Sequence, residues 1–328
     1  MHIGPTVSNR GRNTMIRKPR NTILCTGVIL AAVITVVTSI LFNTRSVPEV
    51  DLKTTTQASH IQPQAAHIPV LRVAIGAMIS PSITKRYYED LLKLVGEKVG
   101  RRTILVQRKT YAEVNALIER REVDLAFICS GPYVQGHEKF GLEIVAIPVV
   151  GEKKVYHSYI LANAESQIRT FDDLRGKRFA FTDPDSNTGS LVPRYMLSQR
   201  DETPESFFQE TFFTYSHDNS IKAVSDGLAD GAAVDSLIWE FMRATTPASV
   251  EKTVVILKSP AYGIPPLVVH PALDGKLKAK LKSVLLSLHN DPRASTFMNQ
   301  VRIDRFEAGN DALYETVRAM ERWQKNNG

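Results

Sequence analysis

From residue 70 onward, short apolar runs alternate with amphipathic stretches, and no other property of the chain restricts its fold as much. Residues 71–77, 103–107, 124–128, 143–150, 157–162, 178–181, 211–214, 232–234, 253–257 and 267–269 read as strands. Residues 85–99, 111–121, 191–199, 219–226, 236–244, 275–290 and 311–327 read as helices. Strands and helices that take turns in this way build an open α/β sheet. Two such sets of about 100 residues each predict two lobes. No period of roughly 20–50 residues recurs cleanly, so a solenoid is excluded.

In open α/β sheets, ligands bind beyond the carboxyl ends of the strands. The polar residues that follow each strand are therefore the candidates for function. The most informative of these loops is Thr182-Asp183-Pro184-Asp185-Ser186-Asn187-Thr188-Gly189-Ser190, between the strand at 178–181 and a helix. A helix start carries unpaired N–H groups and the positive end of the dipole, so it attracts anions. On this loop alone, an ordinary helix cap is the better reading of the residues. The same chemistry recurs elsewhere. Met78-Ile79-Ser80-Pro81-Ser82-Ile83-Thr84 leads to Tyr87 and Tyr88, and Cys129-Ser130-Gly131-Pro132-Tyr133 follows another strand. Tyr156-His157-Ser158-Tyr159 opens a strand, Tyr215-Ser216-His217-Asp218-Asn219-Ser220 opens a helix, and Asp235-Ser236 follows Val234. Hydroxyls, aromatic rings and His, with no Arg or Lys inside these motifs, suit a small oxyanion held by neutral dipoles.

Charge separates the N-terminus from the rest. Of 41 basic and 34 acidic residues, six basic and one acidic lie in residues 1–50, leaving 35 basic and 33 acidic. The nearly neutral body is not that of a nucleic-acid-binding protein. Residues 1–20 form a basic arm, and residues 21–44 carry no charge. Residues 23–42 are long enough, at about 30 Å as a helix, to cross a bilayer. Five basic residues before this segment and one after it orient the N-terminus to the cytoplasm. The segment is read as a single-pass anchor in the inner (cytoplasmic) membrane, with a cleaved signal as the alternative. Residues 45–69, rich in Thr, Gln, Ala, Pro and Ser, are a polar tether. The globular part then lies in the periplasm or outside the cell.

Chemistry-bearing signatures are missing. There is no Gly-x-Gly-x-x-Gly, Walker loop, Gly-x-Ser-x-Gly or His-Glu-x-x-His. The eight His residues lack metal-site spacing, and the two cysteines, Cys25 and Cys129, are expected neither to pair nor to act as nucleophiles. No cofactor and no catalysis are expected.

The loops also carry a family likeness. The runs Phe127-Ile128-Cys129-Ser130-Gly131-Pro132-Tyr133, Phe171-Asp172-Asp173-Leu174-Arg175-Gly176-Lys177 and Phe181-Thr182-Asp183-Pro184-Asp185-Ser186-Asn187-Thr188-Gly189-Ser190-Leu191-Val192-Pro193-Arg194 resemble the phosphate/phosphite/phosphonate-binding proteins of ABC transporters. So do Ser216-His217-Asp218-Asn219-Ser220-Ile221-Lys222-Ala223-Val224 and Ala232-Ala233-Val234-Asp235. These belong to the type 2 periplasmic binding proteins. The resemblance implies a two-lobed clamshell, with one lobe from residues 70–152 plus 258–328 and the other from 153–257. It implies that a phosphonate, phosphite or phosphate head sits at Ser186, Asn187, Thr188 and Gly189, on the helix that follows Thr188. Tyr87 or Tyr88, Ser130 and Tyr133 would close from the first lobe. His157, His217, Asp218 and Asp235 would complete the pocket. The implied partner is an ABC permease, with a membrane sensor as the alternative.

Overall fold

The computed structural model describes residues 68–327. Its chain runs β1 (Val70–Ile75), α1 (Pro81–Val99), β2 (Arg102–Val106), α2 (Tyr111–Glu119), β3 (Leu125–Phe127), α3 (Ser130–Phe140) and β4 (Glu143–Val149). There follow β5 (Val155–Tyr156), β6 (Ser158–Asn163), β7 (Arg178–Phe181), α4 (Val192–Ser198), the single turn α5 (Pro204–Phe207), β8 (Glu210–Phe213), α6 (His217–Ser225), β9 (Gly231–Asp235), α7 (Ser236–Thr245) and β10 (Thr253–Lys258). The chain then returns through β11 (Tyr262–Gly263), β12 (Leu267–Val269), α8 (Gly275–Ser287), α9 (Pro292–Gln300), β13 (Arg305–Glu307) and α10 (Glu315–Asn327).

Two sheets result. One has the order β13-β4-β12-β3-β1-β2 and the other β10-β6-β9-β7-β8. The central pairs β1–β2, β1–β3, β7–β8 and β7–β9 are parallel, as helical crossovers require. Helices cover the parallel strands, so β1 and β9 are apolar on both faces, with Leu71, Val73, Ala74, Ala232, Ala233 and Val234 all buried. Where the chain passes between the sheets, β5 and β11 pair antiparallel, Tyr262 opposite Tyr156. This two-stranded ribbon joins the two lobes.

Local chemistry explains where the elements begin. The first helix starts at Pro81 rather than 85, because proline's fixed φ suits the first helical position. It stops at Gly100, whose φ of 75° is left-handed. Thr110 and Glu113 form a capping box at the start of α2. Besides short pieces such as α5 and β11, three elements went unread in the sequence. Helix α3 follows Cys129 directly, α9 is capped by Asp291 ahead of Pro292, and β13 is a three-residue edge strand too short to show a period. The helix expected at 191–199 is preceded by a π turn over Asn187–Leu191.

The lobes meet through apolar contact as well as hydrogen bonds. Ile79, just before α1, and Tyr87, in its second turn, pack with Ile238 and Phe241 of α7, with Tyr87 edge-on to Phe241 at 5.0 Å. Among the described residues, no helix is long and apolar enough to cross a membrane. The basic arm at 1–20, the span at 23–42 and the tether up to residue 67 lie outside the described residues.

Candidate ligand-binding site

The turn after β7 is held by its own groups. Thr182 N–H donates to Gly189 O (3.0 Å), and Ser186 Oγ accepts from Gly189 N–H (3.0 Å). Ser186 O accepts from Ser190 N–H (3.1 Å) and Leu191 N–H (2.9 Å). The main-chain N–H groups of residues 189–191 are therefore used within the turn, which corrects the expectation that they stand free for a ligand. Gly189 is required by close approach: a Cβ there would lie 2.5 Å from the Thr182 side chain. The side chains supply the polar surface instead. Asn187 and Thr188 are fully buried, yet Asn187 Oδ1 and Thr188 Oγ1 have no hydrogen-bond partner among the described residues. Buried polar atoms are nearly always paired, so two orphans in adjacent residues mark a place where something else completes the bonding.

His217 faces this turn. Its Nδ1 accepts the Asp235 N–H (3.1 Å) and lies 3.0 Å from Thr182 Oγ1. An Nδ1 that accepts a main-chain N–H carries no proton, so the neutral ring bears its proton on Nε2. Burial pushes the imidazole down to about 3, and it stays uncharged at neutral pH. Nε2 is 3.5 Å from the hydroxyl of Tyr111, itself buried. Asn187 Nδ2 donates to Tyr156 OH (3.1 Å), which also lies 3.6 Å from Cys129 Sγ. The thiol is free and fully buried, and burial pushes its pKa up, so it is a wall rather than a nucleophile.

Asp235 ends β9 and caps α7, with Oδ1 accepting from Leu237 N–H (2.7 Å). Its Oδ2 has no partner among the described residues, and burial pushes the carboxyl up to about 7. Asp235 and Met78 also border a cavity of about 190 Å³ between the lobes. Ile79, Tyr88, Phe127, Ile238, Phe241 and Ile264 form much of its wall.

Three hydrogen bonds hold the lobes together around the cluster. His217 N–H donates to Met78 O (3.0 Å), Ser80 N–H to Asp218 Oδ1 (2.8 Å) and Tyr111 N–H to Asp183 Oδ2 (3.1 Å). Two lobe 2 carboxylates thus satisfy N–H groups at the starts of two lobe 1 helices, a favourable arrangement for both charge and dipole.

The structure brings Asn187, Thr188, Gly189, His217 and Asp235 into one buried cluster, with Ser186 as its internal cap and Asp218 at the lobe contact. Tyr88 borders the adjoining cavity, whereas Tyr87 packs on Phe241. Other expected residues spend their polar atoms elsewhere. Ser130 Oγ donates to Gly263 O (2.6 Å), and Tyr133 OH donates to Asp311 (2.8 Å) beside Tyr314. His157 Nδ1 faces Ser259 O at 2.9 Å. Neighbouring residues of extended chain point to opposite sides, so Tyr156 reaches Asn187 while His157 turns away. Tyr111 and Tyr156 were not chosen from the sequence. The rule that directs attention to loops after strands reaches Tyr111, which follows β2 by one short loop.

Comparison with known proteins agrees with this architecture. A family model described as the periplasmic substrate-binding protein of phosphonate ABC transporters matches residues 73–314. The phosphonates-binding periplasmic protein of Escherichia coli (strain K12) is 22% identical over 247 residues, 74% of this chain and 72% of that protein. The phosphate-import protein PhnD of Mycolicibacterium smegmatis is 32% identical over 172 residues, 48% of this chain and 53% of that protein. Among solved structures, PhnD1 of Prochlorococcus marinus (MIT 9301) in complex with methylphosphonate has a TM-score of 0.72 at 19% identity, covering 78% of this chain and 98% of that one, a likeness of fold. With the family model spanning both sheets and the ribbon between them, the chain belongs to the family of periplasmic substrate-binding proteins of phosphonate ABC transporters.

Proposed function

We propose that this protein captures a phosphonate, or a phosphite or phosphate, outside the cytoplasm and delivers it to the permease of an ABC importer. The observation that carries the reading is the pair of buried, unpartnered atoms Asn187 Oδ1 and Thr188 Oγ1 in the cluster that His217 completes. Thr188 Oγ–H and His217 Nε2–H would donate to the oxyanion, and Tyr111 OH would close over it from the other lobe. Neutral donors suffice, because a dry site of low dielectric strengthens each hydrogen bond. Asp235, pushed up to about 7, would share a proton with a ligand oxygen rather than repel it. The relatives' names support the ligand class, one for phosphonates and one for phosphate import, and the solved relative holds methylphosphonate. Residues 23–42, uncharged and preceded by basic residues, would tether the protein to the membrane it serves.

Isothermal titration of the full chain with methylphosphonate, phosphite, phosphate and sulfate tests the reading. At least one phosphorus oxyanion should bind with micromolar or tighter Kd, and sulfate should bind more weakly. Absence of binding by all three at millimolar concentration would overturn it.

A further inference from the structure

We infer that the preferred ligand is an organophosphonate whose substituent is apolar and of ring or short-chain size, lodged in the interlobe cavity beside Asp235; this rests on the oxyanion reading above. The two compartments share a wall. Asp235 N–H and Met78 O both bond to His217, and both residues also border the cavity. A head group on Thr188 and His217 therefore has the chamber next to it.

The size and lining of the chamber select what enters it. Its volume of about 190 Å³ exceeds the roughly 150 Å³ apolar cavity that takes up benzene. A methyl group, about the size of one ~30 Å³ water, would leave most of it unfilled. The wall is mainly hydrocarbon and aromatic, contributed by α1, β3 and α7. Three of its polar side chains are committed elsewhere. Thr84 Oγ donates to Ile79 O (3.1 Å), Ser236 Oγ accepts from His157 N–H (3.0 Å), and Glu240 pairs with Arg243 (2.6 Å). Asp235 Oδ2 has no partner among the described residues and stands at the wall shared with the head-group cluster, and the Tyr88 hydroxyl and the exposed Arg302 also border the chamber. An ammonium substituent would meet Asp235, already capping α7, and Glu240, already paired with Arg243. An apolar substituent is matched along the rest of the chamber.

Titration calorimetry on the full chain with methylphosphonate, butylphosphonate, phenylphosphonate and 2-aminoethylphosphonate reads this directly. Butyl- or phenylphosphonate should bind at least tenfold tighter than methyl- and 2-aminoethylphosphonate. Ile238→Trp, which fills the chamber, should reverse that order. Methylphosphonate or 2-aminoethylphosphonate binding as tightly as both larger apolar ligands would overturn this inference and leave the oxyanion reading standing. No binding of any of the four would overturn this inference, and the phosphite and phosphate titrations would then decide the oxyanion reading. Should Ile238→Trp fail to fold, the wild-type order of affinities still decides.

Discussion

Replacing Thr188 by Val separates a binding role from a structural one, because the two roles predict opposite consequences. Thr188 is fully buried, its Oγ1 has no partner among the described residues, and its main-chain oxygen accepts from Ser158 Oγ at 2.6 Å. Valine keeps the shape and that main-chain bond, and removes only the hydroxyl. Burying a lone hydroxyl costs about 1–3 kcal/mol. The ligand-free variant should therefore be as stable as the wild type or gain up to about 1 kcal/mol, seen as about 2–4 °C in Tm. With an oxyanion bound, the variant lacks a hydrogen bond to a charged acceptor, worth about 1.5–3 kcal/mol. Kd should then rise about 10- to 150-fold. Thermal unfolding without ligand and calorimetry with methylphosphonate measure the two quantities, and Thr188→Ser should retain affinity to within a few-fold. Unchanged affinity would move the head group elsewhere. A ligand-free Tm lowered by about 4 °C or more would make the hydroxyl structural.

Gly131→Ala should obstruct lobe closure: its Cβ would lie 2.4 Å from the Asp185 main-chain oxygen across the cleft, where no rotamer gives relief. Affinity should fall at least about tenfold, and small-angle scattering should lose any ligand-induced contraction; unchanged affinity contradicts this. A second test concerns pH. Asp235, pushed from 3.8 to about 7, keeps a proton that the unfolded chain has released, so its stabilising contribution is full below about pH 3.8 and lost as pH rises through 7. His217, pushed from 6.5 down to about 3, acts in the opposite sense, its contribution being lost as pH falls below 6.5. The wild-type profile blends the two. Asp235→Asn minus wild type isolates the carboxyl: the variant should gain relative stability from about pH 4 to 7 and level off above, and a flat difference would contradict the assignment.

Periodicity made most of the architecture readable. β7 and β12 begin and end where the alternation placed them, because buried parallel or flanked strands must be continuous apolar runs. Elements that escaped, among them α3, α9 and β13, lack such a signal: α3 is rich in Gly and polar residues, and β13 is three residues long. The candidate site was legible where the chain punctuates it, in the Pro, Asn and Gly of the 182–190 turn. It was not legible where tertiary packing decides which polar atom is free. Ser130 and Tyr133 look like ligand donors in one dimension, but Gly263 and Asp311 take their hydroxyls in three. Tyr111 looks like the first residue of a capped helix, and only the fold sets its hydroxyl 3.5 Å from His217.

The most direct test of the account is a crystal structure of the methylphosphonate complex. The account predicts phosphonate oxygens within about 3.2 Å of both Thr188 Oγ1 and His217 Nε2, with the methyl group directed past Asp235 toward the interlobe cavity. A phosphonate bound between the closed lobes that touches neither Thr188 nor His217 would contradict it.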